Sequence, residues 1–229
     1  SVSKPSTLKK RIKNGKKFFL LYSAAFLVCA ALCYFWFIKK KTLIINSDGW
    51  RQHFAAFVYF GKYGREILET LFETHKFVLP QWDFSIGLGS DILTTLHFYA
   101  IGDPLDLLSI ACPAKYAAYL YSLLSLFRLY LAGLSFGAFC FIKKQNHVSS
   151  ITVARLFIVH LIWNVHSVAS PVFCTSYDIF AVAAFGVEQI TAGKRPYLFV
   201  ITVFLAAISN FYFFYMLALF TAIYTLFLL

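Results

Sequence analysis

Charge is scarce in this sequence. Only 14% of its 229 residues are Asp, Glu, Lys or Arg, whereas a soluble domain of this size carries about a quarter. So little charge cannot cover a water-facing globule, so lipid must be the solvent for much of the chain. The mean hydropathy of +0.70 agrees. Paired cysteine motifs are missing as well. Cys29, Cys33, Cys112, Cys140 and Cys174 are odd in number, lie mostly inside apolar runs, and include no C-x-x-C. That argues against a zinc or disulfide framework and leaves small buried hydrophobes.

What charge there is has a pattern. A net +11 would suit a nucleic-acid binder, but seven of the 21 basic residues lie between Lys4 and Lys17, directly before an apolar run. Such a cluster is a cytoplasmic anchor beside anionic lipid, and no nucleic-acid partner is expected. Residues 18–38, FFLLYSAAFLVCAALCYFWFI, are 21 uncharged residues, enough for one helix across a ~30 Å hydrocarbon core. Lys39, Lys40 and Lys41 stand where a signal peptide would carry its small-residue cleavage site, so the helix is expected to be retained. Residues 1–17 then form a cytoplasmic basic tail, and seven basic residues before the helix against three after it place the N-terminus inside.

On this topology residues 42–113 form a large external loop. It holds eight of the ten acidic residues against four basic ones, a net −4. Either a solvated loop or a binding site explains such a concentration. Trp50, Phe54, Phe57, Gly61, Gly64, Leu68 and Leu71 recur at helical spacing, and Lys62/Glu66 and Arg65/Glu69 are placed to pair at i,i+4. One or two amphipathic helices on the outer membrane surface are predicted. Pro80 ends that pattern, and "QWDFSIGLGSD" with its two glycines reads as a tight turn.

Residues 114–229 return to apolar runs. The stretch 116–142 carries Arg128 near its middle, and a cation there needs a partner or a polar cavity. Glu188 of a neighbouring helix is one candidate partner, a bound anion the other. Helices at about 150–168 and 171–190 follow, with Lys143, Lys144, Lys194 and Arg195 marking inner ends. From Pro196 onward there is room for two short spans that break near Ser209–Asn210. The chain stops at Leu229 inside an apolar run, as a fragment truncated at its C-terminus would. The expected fold is all-α: a polytopic membrane protein of about six transmembrane helices, some short or broken, with amphipathic interfacial helices in the first loop.

The blocks "NSDGWRQHF", "LPQWDFSIGLGSDILTTLHFYAIGDPLDLL", "LFRLYLAGLSFGAFC" and "GKRPYLFVITVFLAAISNFYFFYM" occur in this order. Together they resemble the N-terminal region of the YfhO family, multi-pass bacterial membrane proteins typical of Gram-positive bacteria. The resemblance implies a membrane glycosyltransferase of GT-C architecture. Its implied donor is a sugar on an undecaprenyl-phosphate carrier in the membrane, and its implied acceptor a cell-wall polymer such as lipoteichoic acid. A partner glycosyltransferase that makes the donor is also compatible with it. Family members are much longer than this chain, which alone is not expected to complete the reaction.

GT-C enzymes commonly carry an essential acidic residue in the first external loop, and the residue in that place is Asp48. Sugar transfer needs a base for the acceptor hydroxyl and stabilisation of the leaving phosphate. A partly buried carboxylate at the water–lipid boundary meets both reactants. The alternative is an N-cap, which "S-D-G-W" before a helix suits well. Gln52, one turn later, shares the face of Asp48 and is placed to bind a sugar or phosphate; Arg51 and His53 point elsewhere on a helix. Arg128 is the candidate phosphate partner. Asp83, Asp91 and Asp103 are secondary substrate-binding candidates. One of them could hold a divalent cation with Asp48, as some GT-C enzymes require, although no spacing marks a metal site and Asp103-Pro104 also reads as a turn. Asn210 either contacts substrate or satisfies backbone at the helix break. The rival function is a non-enzymatic lipid-linked-sugar transporter or flippase, or a membrane scaffold. Transporters often show inverted repeats, and no internal repeat is present here.

The resemblance lapses between about Ser149 and Phe185 and resumes at "GVEQITAGKRPYLF". A reading shifted by one base, with free synonymous codons, restores the family's His-Pro, Pro-Met and Pro-Leu-Leu elements. Two compensating frameshifts are therefore expected, and no function is assigned to His160, His166 or Asp178.

Overall fold

The computed structural model describes residues 5–39, 43–44, 48–143 and 172–228. These are mostly helical: α1 (Pro5–Lys39), α2 (Ala55–Thr74), α3 (Ile92–Tyr99), α4 (Leu108–Ala111), α5 (Ala117–Ile142), α6 (Val172–Thr191), α7 (Tyr197–Ser209) and α8 (Phe211–Leu228). The predicted helix at 150–168, with His160 and His166, lies outside the described residues, as does the side chain of Asp178.

Among the described residues three stretches are long and apolar enough to cross a membrane: Asn14–Leu32, Ala114–Ile142 and Phe211–Leu228. Ile179–Thr191 and Tyr197–Ser209 are apolar but shorter. At 1.5 Å per residue, the 13 residues of α7 span about 20 Å, less than the ~30 Å core. A single helix, α1, runs through both the basic segment and the first apolar run. It packs on α5 through Phe18, Tyr22, Phe26, Leu129 and Ala132. Tyr22 donates to the Tyr130 carbonyl at 2.7 Å, which satisfies a hydroxyl buried among apolar side chains.

The first loop folds onto the ends of these helices. Its α2 buries Phe57, Phe60, Gly61, Tyr63 and Gly64, whereas Trp50 and Leu68 of the same predicted stripe are exposed. The middle of α2 rests on protein: a Cβ at Gly61 would stand 2.6 Å from the Ser109 carbonyl oxygen, so only glycine permits that approach. The Lys62–Glu66 pair forms at 3.4 Å. Arg65 does not take Glu69; it donates to the carbonyls of Ser109, Ile110 and Cys112 at 2.9, 3.1 and 2.9 Å. Three carbonyls gathered at a helix end, of which Ser109's also accepts the Cys112 amide at 3.2 Å, outcompete one exposed carboxylate.

"QWDFSIGLGSD" is more than a turn. Trp82–Asp83 (β1) pairs antiparallel with Ser90–Asp91 (β2), and Gly87 and Gly89 take positive φ angles of 62° and 107° at its tip. This short ladder is the one departure from an all-α fold among the described residues.

Near the chain's far end the helix breaks where the sequence indicated. Asn210, extended at φ −160°, separates α7 from α8. Its side chain donates to the Phe98 carbonyl at 2.8 Å and accepts from the Tyr212 and Phe213 amides at 3.0 and 3.2 Å. Gly102 of the first loop meets the same break so closely that a Cβ would lie 1.6 Å from the Ile208 carbonyl oxygen. Loop and broken helix are thereby locked together.

Candidate functional site

Asp48 stands at the start of one turn of wide π-helix, Gly49–Phe54, which leads into α2. Such turns are rare and concentrate at functional sites. Asp48 already has helical angles, φ −57° and ψ −30°, and makes no side-chain cap hydrogen bond. The capping alternative is therefore not realised. Expected to be partly buried, it is instead exposed. Its Oδ1 accepts a hydrogen bond from Gln52 Nε2 at 3.0 Å. Gln52 Oε1 accepts in turn from the Tyr99 hydroxyl at 2.9 Å. The amide is thus oriented from both ends, with nitrogen toward the carboxylate and oxygen toward the phenol.

His53, discounted at the sequence level, lies under this chain. It is buried, with its ring 5.2 Å from that of Tyr99. Burial lowers its pKa to about 4 against the opposing pull of Asp48, so it is neutral near pH 7. The same π-turn and the start of α2 also line a groove of about 540 Å³, with Trp50, Phe54, Val58 and Tyr59 as apolar walls and Arg51 and Lys62 among its lining; Asp48, Gln52, His53 and Tyr99 do not line it.

The other carboxylates are brought elsewhere. Asp91 caps α3, accepting from the Thr94 amide at 2.6 Å. Asp83 accepts from the Tyr59 hydroxyl at 2.6 Å and the Ser85 amide at 2.7 Å, and the Tyr59 bond leads in holding its carboxyl below the usual range. Asp103 is buried beside Arg128, which donates Nε to its Oδ2 at 3.1 Å and Nη2 to Asp106 Oδ1 at 2.6 Å. All three side chains are almost fully enclosed. Arg128 was expected to meet Glu188 or a substrate phosphate; its guanidinium is instead committed to the loop's own carboxylates. Glu188 pairs with Lys143 and accepts from the Tyr224 hydroxyl. Desolvation pushes the Asp106 carboxyl up to about 7, although Arg128 opposes the rise.

Sequence reasoning missed Tyr99, His53 and Asp106. The first two lie in quoted blocks without a helical phase linking them to Asp48. The third had a usable signal, because "DPLD" sets two carboxylates around a turn and Arg128 needs a counter-charge.

No group of three or more His, Cys, Asp or Glu side chains that could hold a metal is found among the described residues. Among the described residues Asp48 is the one carboxylate of its cluster, with an amide, a phenol and a buried imidazole nearby. No curated protein and no solved structure matches the chain. The family model described as "Bacterial membrane protein YfhO" matches residues 19–229. With nearly the whole chain covered by that match and three of its helices able to span a bilayer, the protein belongs to the YfhO family of bacterial membrane proteins.

Proposed function

We propose that this chain carries the catalytic front of a GT-C-type membrane glycosyltransferase. It acts at the outer face of the cell membrane, with the N-terminus cytoplasmic. The sugar comes from a polyprenyl-phosphate carrier and goes to a cell-wall polymer such as lipoteichoic acid. The observation that carries this reading is an exposed carboxylate, Asp48, held by Gln52, which Tyr99 holds in turn, just beyond the first membrane helix.

In the reaction Asp48 takes the proton of the acceptor hydroxyl. That oxygen bonds to the anomeric carbon, and the bond from this carbon to the phosphate oxygen breaks with its electron pair leaving on the phosphate. Gln52 and Tyr99 orient Asp48 and act as positioning residues. The groove lined by the same π-turn and the start of α2 pairs apolar walls with Arg51 and Lys62, the chemistry that an isoprenoid phosphate calls for.

A lipid-linked-sugar transporter is the second reading, and the broken helix at Asn210 favours it. Against it, the loop engages that break through Phe98 and Gly102, which suits a fixed wall better than a moving gate.

The test is the counterpart of Asp48→Asn in a full-length family member. Polymer glycosylation should be lost while protein level and outer-leaflet carrier stay normal. Unchanged glycosylation would refute the assignment of Asp48.

A further inference from the structure

The β1–β2 hairpin exposes a run of large apolar side chains. Leu88 at its tip is 101% exposed, Phe84 79% and Trp82 56%. From Phe84 to Ser90 there is no charged residue. Water-facing loops rarely place a leucine and two aromatics side by side with nothing over them.

The tip is also held rigidly. Tyr63 donates to the Pro80 carbonyl at 2.7 Å, and Tyr59 to Asp83 at 2.6 Å. The Ser85 amide returns to Asp83 at 2.7 Å, the Gly89 amide to the Ile86 carbonyl at 3.0 Å, and the Ser90 and Thr95 hydroxyls meet at 2.8 Å. Ile86 packs inward against the loop core, so the turn must present Phe84 and Leu88 outward.

The elements that hold the hairpin sit at the mouths of membrane helices. Tyr59 and Tyr63 belong to α2, whose Phe57 ring lies 5.4 Å from that of Tyr121 in the span Ala114–Ile142. Strand β2 runs directly into α3, whose His97 stacks at 5.9 Å on Phe211, the first residue of the span Phe211–Leu228. A fixed, uncharged, apolar turn borne by two elements at the bilayer boundary has one solvent at hand that stabilises it, which is lipid. Trp82 at its base suits the headgroup level, where an amphipathic indole is favoured.

We propose that the hairpin tip Phe84–Leu88 inserts into the leaflet adjoining the first loop and anchors the loop to the lipid surface. The loop is then held from two sides, by protein at Arg128 and Asn210 and by lipid at Leu88.

Two experiments on the full chain in liposomes test this. In the unmodified protein, a carbene-generating probe carried on a lipid chain should label the peptide 77–91. An unlabelled peptide, beside labelled membrane spans, overturns the proposal. In a variant with Trp36, Trp50 and Trp163 replaced by Phe and its helical circular dichroism retained, Trp82 is the sole reporter. Its emission should be strongly quenched by brominated phosphatidylcholine and little by iodide, and Leu88→Asp should reverse both responses. Iodide quenching without bromine quenching means a water-exposed turn and refutes insertion. Quenching by neither means that protein covers the tip, which refutes it equally.

Discussion

Two acidic sites of one loop, a lone carboxylate and a pair, are built in opposite ways. Asp48 is exposed and accepts a hydrogen bond from a neutral amide. Asp103 and Asp106 are enclosed, share one guanidinium and tie the loop to the interior of α5. A carboxylate that must meet substrates has to stay accessible. A carboxylate that must hold a loop gains most where water cannot compete for its partner. The difference separates an accessible carboxylate from a structural pair within a single segment.

Breaking the buried cluster should have the largest effect. Arg128→Met leaves two carboxylates in a closed site without their cation, a change that costs on the order of 3–5 kcal/mol when one partner of a buried pair is removed. The expected outcome is loss of the folded species, read as aggregation on size exclusion in detergent. The triple change Arg128→Met with Asp103→Asn and Asp106→Asn should recover much of the monodisperse peak. A well-behaved single variant would mean that the triad holds nothing.

Gly102→Ala tests the second attachment of the loop. Its Cβ would overlap the Ile208 carbonyl oxygen, a backbone atom that cannot swing aside. Overpacking of this kind typically costs about 1–3 kcal/mol. The thermal midpoint in detergent should fall, and protease should cut the loop sooner. An unchanged midpoint would show that loop and broken helix are not in register.

pH sharpens the comparison, because His53 and Asp106 act with opposite signs. The His53 pKa falls from 6.5 to about 4 on folding. Between those values the unfolded chain binds the proton and the folded one does not, so stability declines as pH drops through 6.5 toward 4. Asp106 rises from 3.8 to about 7. Its contribution is fully present below 3.8 and is lost as pH rises through 7. The two slopes offset each other in the unaltered protein. His53→Gln should become more stable toward pH 5 relative to the parent, and Asp106→Asn more stable toward pH 8. Differences from the parent that do not vary with pH would contradict both assignments.

The sequence made local features legible and left pairings hidden. The apolar run after Lys17, the helix near 171–190 and the break at Asn210 each follow from a signal within a few residues: hydropathy, chain length, a polar pair in an apolar stretch. The Lys62–Glu66 contact follows from i,i+4 spacing. Arg128 was marked as needing a partner, but its mates lie 22 and 25 residues away across a turn, and no spacing rule spans that distance. Arg65 was misassigned because a helix-surface rule ignores carbonyls arriving from another element. At the candidate site Gln52 was placed correctly beside Asp48, since i and i+4 stay close in a π-turn as in an α-helix. Tyr99, 47 residues on, was visible only once α3 had folded against α2.

The smallest stability effect is expected at Asp48. It is exposed, caps nothing and gives up one neutral–charged hydrogen bond when replaced. Surface changes away from packing and caps usually stay within about 0.5 kcal/mol. Asp48→Ala should therefore leave the thermal midpoint of the purified chain nearly where it was. Gln52 would keep its bond from Tyr99, so the π-turn retains a tether to α3. A marked fall in the midpoint would move Asp48 from the chemical class to the architectural one. Loss of glycosylation on its replacement in a full-length relative would then report misfolding, not a missing base.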